Sequence, residues 1–129
     1  MKGVFLIGFS EIATLTGTVR LVTVTYYRDV LPILQSHCQS CHHSGGQAPM
    51  SLMSYSEVKP WAEAMKQLVI SGMMPPRYVR SGDSKTHELL LLRDIDTIVE
   101  WVDQGAPAGN PEDAPPPVYF YSKKLPKNP

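Results

Sequence analysis

Two cysteines separated by two residues, with a histidine directly after the second, constrain this chain more than any other stretch: Cys38-Gln39-Ser40-Cys41-His42. The spacing C-x-x-C-H lets two thiols bond to the vinyl groups of a haem while the next histidine ligates the iron. One tight turn presents both sulfurs to neighbouring edges of a flat macrocycle, and the adjacent imidazole sits beneath it with a nitrogen aimed at the metal. The pair is also the whole cysteine complement of the chain. The pattern predicts one haem c, attached through Cys38 and Cys41 with His42 on its iron. It also requires a second axial ligand and an apolar wrapping from the remaining residues.

A candidate for that ligand lies in Ser71-Gly72-Met73-Met74-Pro75-Pro76. Two prolines forbid helix and leave the methionines on a stiff, extended loop. A thioether is a soft, neutral donor that suits low-spin haem iron opposite histidine and raises its potential. Buried methionine commonly just fills gaps, but a Met-Pro step between two helices, downstream of C-x-x-C-H, favours Met74 as distal ligand. Met73 and then Met50 are the alternatives.

Apolar spacing predicts helices on both sides of this pair of motifs. Tyr27, Val30, Leu31 and Leu34 fall on one face, with Asp29 as the expected cap, Pro32 in the first turn and an end near His37. After a loop over residues 44–49, whose glycines allow a close bend, Met50, Leu52 and Met53 are expected as apolar wall. Ser54 and Glu57 spell a capping box, and Pro60 either kinks the stretch or starts a new helix. Trp61, Ala64, Met65, Leu68 and Val69 continue it, with Gly72 just past its end. A third helix is expected from about His87 to Gln104, capped by Thr86 and stopped by Gly105 and Pro107. Its face carries Leu91, Ile95, Ile98 and Val102, broadened by Leu92, Val99 and Trp101. Residues 81–85 read as a loop.

Composition excludes some partners. Twelve basic and twelve acidic residues give a formal charge of zero, which offers nothing to nucleic acid or an anionic membrane surface. No stretch approaches the ~20 apolar residues of a membrane span. Residues 1–25 form a lead-in, read either as a weak export signal around Val4 to Phe9, interrupted by Glu11, or as an extended segment over residues 16–25. Residues 26–107 form the domain, and residues 108–129 a proline-rich tail whose Pro115-Pro116-Pro117 is a spacer or a strap. His37 and His43 read as solvent-facing polar residues. A zinc-binding interaction module would need ligands outside the cluster, where His87 is the sole histidine. A thioredoxin-like dithiol lacks its βαβ surroundings. Arg77, Tyr78, Arg80, Trp61 and Tyr55 are candidate donors to haem propionates.

Together these residues resemble a small monohaem c-type cytochrome domain of the class I kind. The narrower likeness is to a bacterial form, carried by Tyr27-Arg28-Asp29-Val30-Leu31-Pro32-Ile33-Leu34, the cysteine motif and Ala48-Pro49-Met50-Ser51-Leu52. It continues through Pro60-Trp61-Ala62, Met74-Pro75-Pro76 and Ile95-Asp96-Thr97-Ile98-Val99-Glu100-Trp101-Val102. The resemblance implies an all-α fold, with three or more helices wrapped around one covalently bound haem and the N- and C-terminal helices packed together. It implies electron transfer rather than catalysis, with His42 and Met74 as axial ligands and a redox protein as partner. Covalent attachment implies an exported protein, periplasmic or extracellular. Relatives often continue into another domain, so a neighbouring domain in a longer parent is expected. Arg77 stands where the family usually has tryptophan, and the segment from Tyr78 to Leu92 is shorter than usual. The rival function is a ligand-sensing or peroxidase-like haem protein in which Met74 is labile.

Overall fold

The computed structural model describes residues 3, 22–76 and 90–121, and every regular element among them is helical. Thr25 is extended (φ −123°, ψ 155°), and the chain then enters a π turn, Tyr26–Val30, which runs into α1, Leu31–His37. The Val30 N–H reaches back five residues to the Thr25 carbonyl at 3.3 Å. The wide turn suits Pro32, which has no N–H to donate and whose ring crowds the carbonyl four residues back. It also moves the apolar phase by one residue. Tyr26, only 1% exposed, leads the buried row in place of the expected Tyr27, followed by Val30, Leu31 and Leu34. The expected cap shifts likewise. Thr25 occupies the N-cap, and Asp29 lies inside the turn with its carboxylate accepting the Thr25 N–H at 2.7 Å.

The second helical stretch starts as its capping box requires. Ser54 Oγ accepts the Glu57 N–H, and the Glu57 carboxylate accepts the Ser54 N–H at 3.0 Å. Then α2, Tyr55–Val58, tightens into a 3₁₀ turn, Lys59–Trp61, around Pro60, and resumes as α3, Ala62–Ile70. Pro60 thus marks a change of pitch rather than a helix start. Three residues per turn displace the stripe expected from 3.6. The buried positions become Ala62, Met65 and Val69, whereas Trp61 and Ala64 are exposed.

These two helix starts should sense acid. Burial raises the Asp29 carboxyl, but the Arg28 side chain and the Thr25 N–H outweigh it and hold the group below its ordinary value. Glu57 is likewise raised by burial and lowered further by Ser51, Ser54 and the Met53 N–H. A depressed folded pKa gives stability above the unfolded value, about 4, and loses it as pH falls through the folded one. Stability in urea should therefore decline below about pH 4, and the Asp29→Asn/Glu57→Gln double variant should show a shallower decline. An unchanged slope would count against both bonds.

Helix α3 and the last helix, α4 (Leu92–Asp103), end in the same way. Gly72 (φ +71°) donates to Val69 while Met73 donates to Leu68, and Gly105 (φ +92°) donates to Val102 while Ala106 donates to Trp101. This paired closure needs a left-handed residue, which glycine supplies without strain. The start of α4 differs from expectation. It begins at Leu92, with the Leu91 N–H donated to Asp94 at 3.4 Å, and Leu91 and Leu92 are exposed. The expected cap Thr86 and the loop 81–85 lie outside the described residues, as do most of the lead-in and residues 122–129.

Helices α3 and α4 pack together, and the π turn packs on α4. Val69 of α3 meets Ile33 and Ile98 in one apolar cluster. A larger cluster gathers Tyr26, Leu34, Leu52, Val58, Met65 and Trp101. Ile33 of α1 and Ile98 of α4 thus share a cluster, while the direct packing on α4 comes from the π turn and α3. The tail is a strap over its described part. Gln35 donates to the Pro116 carbonyl at 3.0 Å, and Phe120 stacks on the His43 ring with centroids 4.7 Å apart.

Among the described residues two buried side-chain polar atoms have no partner, Thr25 Oγ1 and the Tyr26 hydroxyl. The Tyr26 hydroxyl is buried and unbonded, and burial, with smaller contributions from Tyr27 and Glu57, pushes it up to about 12. A buried hydroxyl without a bond costs free energy that phenylalanine would not. Tyr26→Phe should leave urea stability unchanged or raise it by about 1 kcal/mol. A loss of that size would mean the hydroxyl is bonded in solution.

Candidate cofactor site

The turn that follows α1 is the first wall of a cavity of about 260 Å³. The Cys38 and Gln39 N–H groups both donate to the Leu34 carbonyl, and the Cys41 and His42 N–H groups donate to the Cys38 carbonyl. These bonds close the C-x-x-C-H stretch into one compact turn. Cys38, Cys41 and His42 all face the cavity from it. The returning loop is pinned to the turn by Ala48 N–H to the Cys41 carbonyl and Leu52 N–H to the His42 carbonyl. It contributes Gln47, Ala48, Pro49, Met50 and Leu52. Gly46 is required because a Cβ there would strike the Cys41 carbonyl.

The opposite wall comes from α3 and the segment after it. Met65, Leu68 and Val69 line it, and Met74, Pro75 and Pro76 close it, with Leu90 and Ile98 at the far side. The helix ending explains how Met74 arrives there. The Leu68 carbonyl accepts the N–H groups of both Met73 and Met74, at 3.0 and 3.2 Å, which turns the chain back over α3. Met73 is left 66% exposed, whereas Met74 faces the cavity.

The His42 ring is held in one tautomer. Its Nδ1 lies 3.1 Å from the Met50 carbonyl, and a carbonyl can only accept, so Nδ1 carries a proton and, in the neutral ring, Nε2 keeps the lone pair. A metal-binding histidine is characteristically oriented by such a bond. Cys38 is in the opposite state from a redox dithiol. Burial, and secondarily Cys41, pushes its thiol up to about 12, whereas reactive C-x-x-C thiols are lowered.

The structure thus brings Cys38, Cys41, His42 and Met74 onto one cavity, with Met50 beside His42 and Met73 outside. Met50 and Leu52 form wall as expected, and Met53 does not reach the cavity. Tyr55 and Trp61 do not line it. The Tyr55 hydroxyl donates to the Ala106 carbonyl at 2.8 Å, and Trp61 is exposed. Arg77, Tyr78 and Arg80 lie outside the described residues. The two flanking histidines are not solvent-facing. The His37 side chain is 8% exposed, lines the cavity and lies 3.9 Å from the Asp94 carboxylate. His43 Nδ1 bonds the Gln39 carbonyl at 2.7 Å under Phe120. A signal for His37 existed, since it lies four residues after Ile33 on the apolar face. Among the described residues no three His, Cys, Asp or Glu side chains group as a metal site, and His87 lies outside them. No helix among the described residues is long and apolar enough to cross a membrane.

Comparison with protein-family models, with curated protein sequences and with solved structures returns no match to this chain.

Proposed function

We propose that this chain is a one-electron carrier, a c-type cytochrome domain whose haem occupies the cavity between the cysteine turn and the Met-Pro-Pro segment. The observation that carries the reading is the convergence of both sulfurs, an imidazole with a free Nε2, and a methionine on one apolar cavity. Cys38 and Cys41 would anchor the ring, and His42 and Met74 would hold its iron. When bound, the haem supplies a one-electron couple at that iron. With His42 and Met74 both holding its iron, no site would remain there for substrate, so the domain would have no enzymatic step of its own. The Met50 carbonyl fixes the His42 ring, and Leu52, Met65, Leu68, Val69 and Ile98 keep water away, which favours the less charged oxidation state. The cytochrome c-like arrangement of helices belongs to the same proposal. So do a redox protein as partner, a neighbouring domain in a longer parent and a periplasmic or extracellular setting.

The test is to produce the chain with a haem-attachment system and record its mass and spectra. One covalent haem, a methionine-to-iron charge-transfer band when oxidised and no carbon monoxide binding when reduced are expected. Carbon monoxide binding would favour a sensing or peroxidase-like protein with a labile Met74. Absence of covalent haem would overturn the reading.

A further inference from the structure

Gln39 fills a position between the two cysteines that has no ligand to supply. It is nonetheless 1% exposed, with its amide inside the core. An apolar residue would fill this space without the cost of desolvating an amide. The amide has a defined use. Its Nε2 donates to the Leu52 carbonyl at 2.9 Å, across thirteen residues of sequence.

The rest of Gln39 is engaged as well. Its N–H donates to the Leu34 carbonyl at the end of α1, at 2.8 Å, and its carbonyl accepts the His43 ring at 2.7 Å. One residue therefore joins α1, the cysteine turn and the returning loop. Leu52 lies two residues beyond Met50, whose carbonyl orients His42. The same segment is tied back to the turn by the Leu52 N–H, which donates to the His42 carbonyl.

We propose that Gln39 is a positioning residue, whose side-chain amide holds the Met50–Leu52 segment so that the Met50 carbonyl fixes the His42 ring. It rests on the electron-carrier reading and deepens it, because the orientation and basicity of the axial imidazole are set through this bond. The first variable residue of the C-x-x-C-H turn is then part of how the site is tuned, rather than a spacer.

The experiment compares holoprotein carrying Gln39→Met with wild type and with Val58→Ala, a buried position that does not line the cavity. Methionine keeps the length and fills the space but donates nothing. Two readouts are taken: hydrogen exchange of the His42 ring N–H in the reduced protein, and the reduction potential. Gln39→Met should speed ring exchange about tenfold or more, because the bond is opened by local motion of the loop. It should also shift the potential. Val58→Ala should lower urea stability while leaving both unchanged. If Gln39→Met changes stability alone, as Val58→Ala does, Gln39 is core filling and the proposal fails. If wild type carries no covalent haem, the electron-carrier reading fails first and takes this proposal with it.

Discussion

Trp101→Ala should cost about 3–5 kcal/mol, the usual loss for truncating a buried large aromatic. A domain of this size holds only about 5–15 kcal/mol in total. Trp101 is fully buried, with its ring 6.2 Å from that of Tyr26, and it carries the contact between α4 and the π turn. The hydrogen bond is the smaller part. Trp101 Nε1 donates to the Pro107 carbonyl at 2.9 Å, but the same carbonyl also accepts the Tyr26 N–H at 2.9 Å. It is therefore not orphaned when the indole is removed. Trp101→Phe should accordingly lose only about 1–2 kcal/mol. Urea midpoints of the three proteins measure both numbers. A small loss for alanine, under about 1 kcal/mol, would show that α4 is not anchored where described.

If Met74 ligates a haem iron as proposed, Met74→Ala should remove the charge-transfer band of the oxidised holoprotein, open the reduced iron to carbon monoxide and lower the potential. Axial ligation spans about 0.8 V across haem proteins, and loss of the thioether should move this one by a measurable fraction of that range. Met73→Ala is the internal control, since that side chain is 66% exposed and should leave all three readouts unchanged. Met50 offers a sharper contrast. It also faces the cavity, but its link to His42 runs through its backbone carbonyl, which alanine retains. If Met50→Ala rather than Met74→Ala abolishes the band, the distal ligand has been misassigned.

Local chemistry was the legible part of the sequence. The cysteine turn, the Ser54–Glu57 box and the glycines after α3 and α4 each declare themselves within six residues, and each forms as read. Phase was less legible. Pro32 and Pro60 are obvious as disruptors, but whether a proline ends a helix, widens it or tightens it depends on neighbours that sequence spacing does not weigh. The π turn exchanged Tyr27 for Tyr26, and the 3₁₀ turn exchanged Trp61 and Ala64 for Ala62. Leu91 and Leu92 extended the apolar pattern of α4 toward its N-terminus although both are exposed, because a run of leucines satisfies any period. Long-range ties were invisible. The Gln35–Pro116 and His43–Phe120 contacts join segments with no shared pattern, so the tail could be read as either spacer or strap. The burial of His37 was legible from its place four residues after Ile33, but its Asp94 neighbour, from the far end of the domain, was not.

The state of the Cys38 sulfur imposes an order on how such a protein is made. Burial, and secondarily Cys41, pushes its thiol up, which disfavours the reactive thiolate at neutral pH. A chain that reached this packing early would shut an inert group into its interior. On the electron-carrier proposal, the bond to the porphyrin would form while the polypeptide is still open, and closure of the core would then seal a linkage that the packed domain is poorly placed to make for itself.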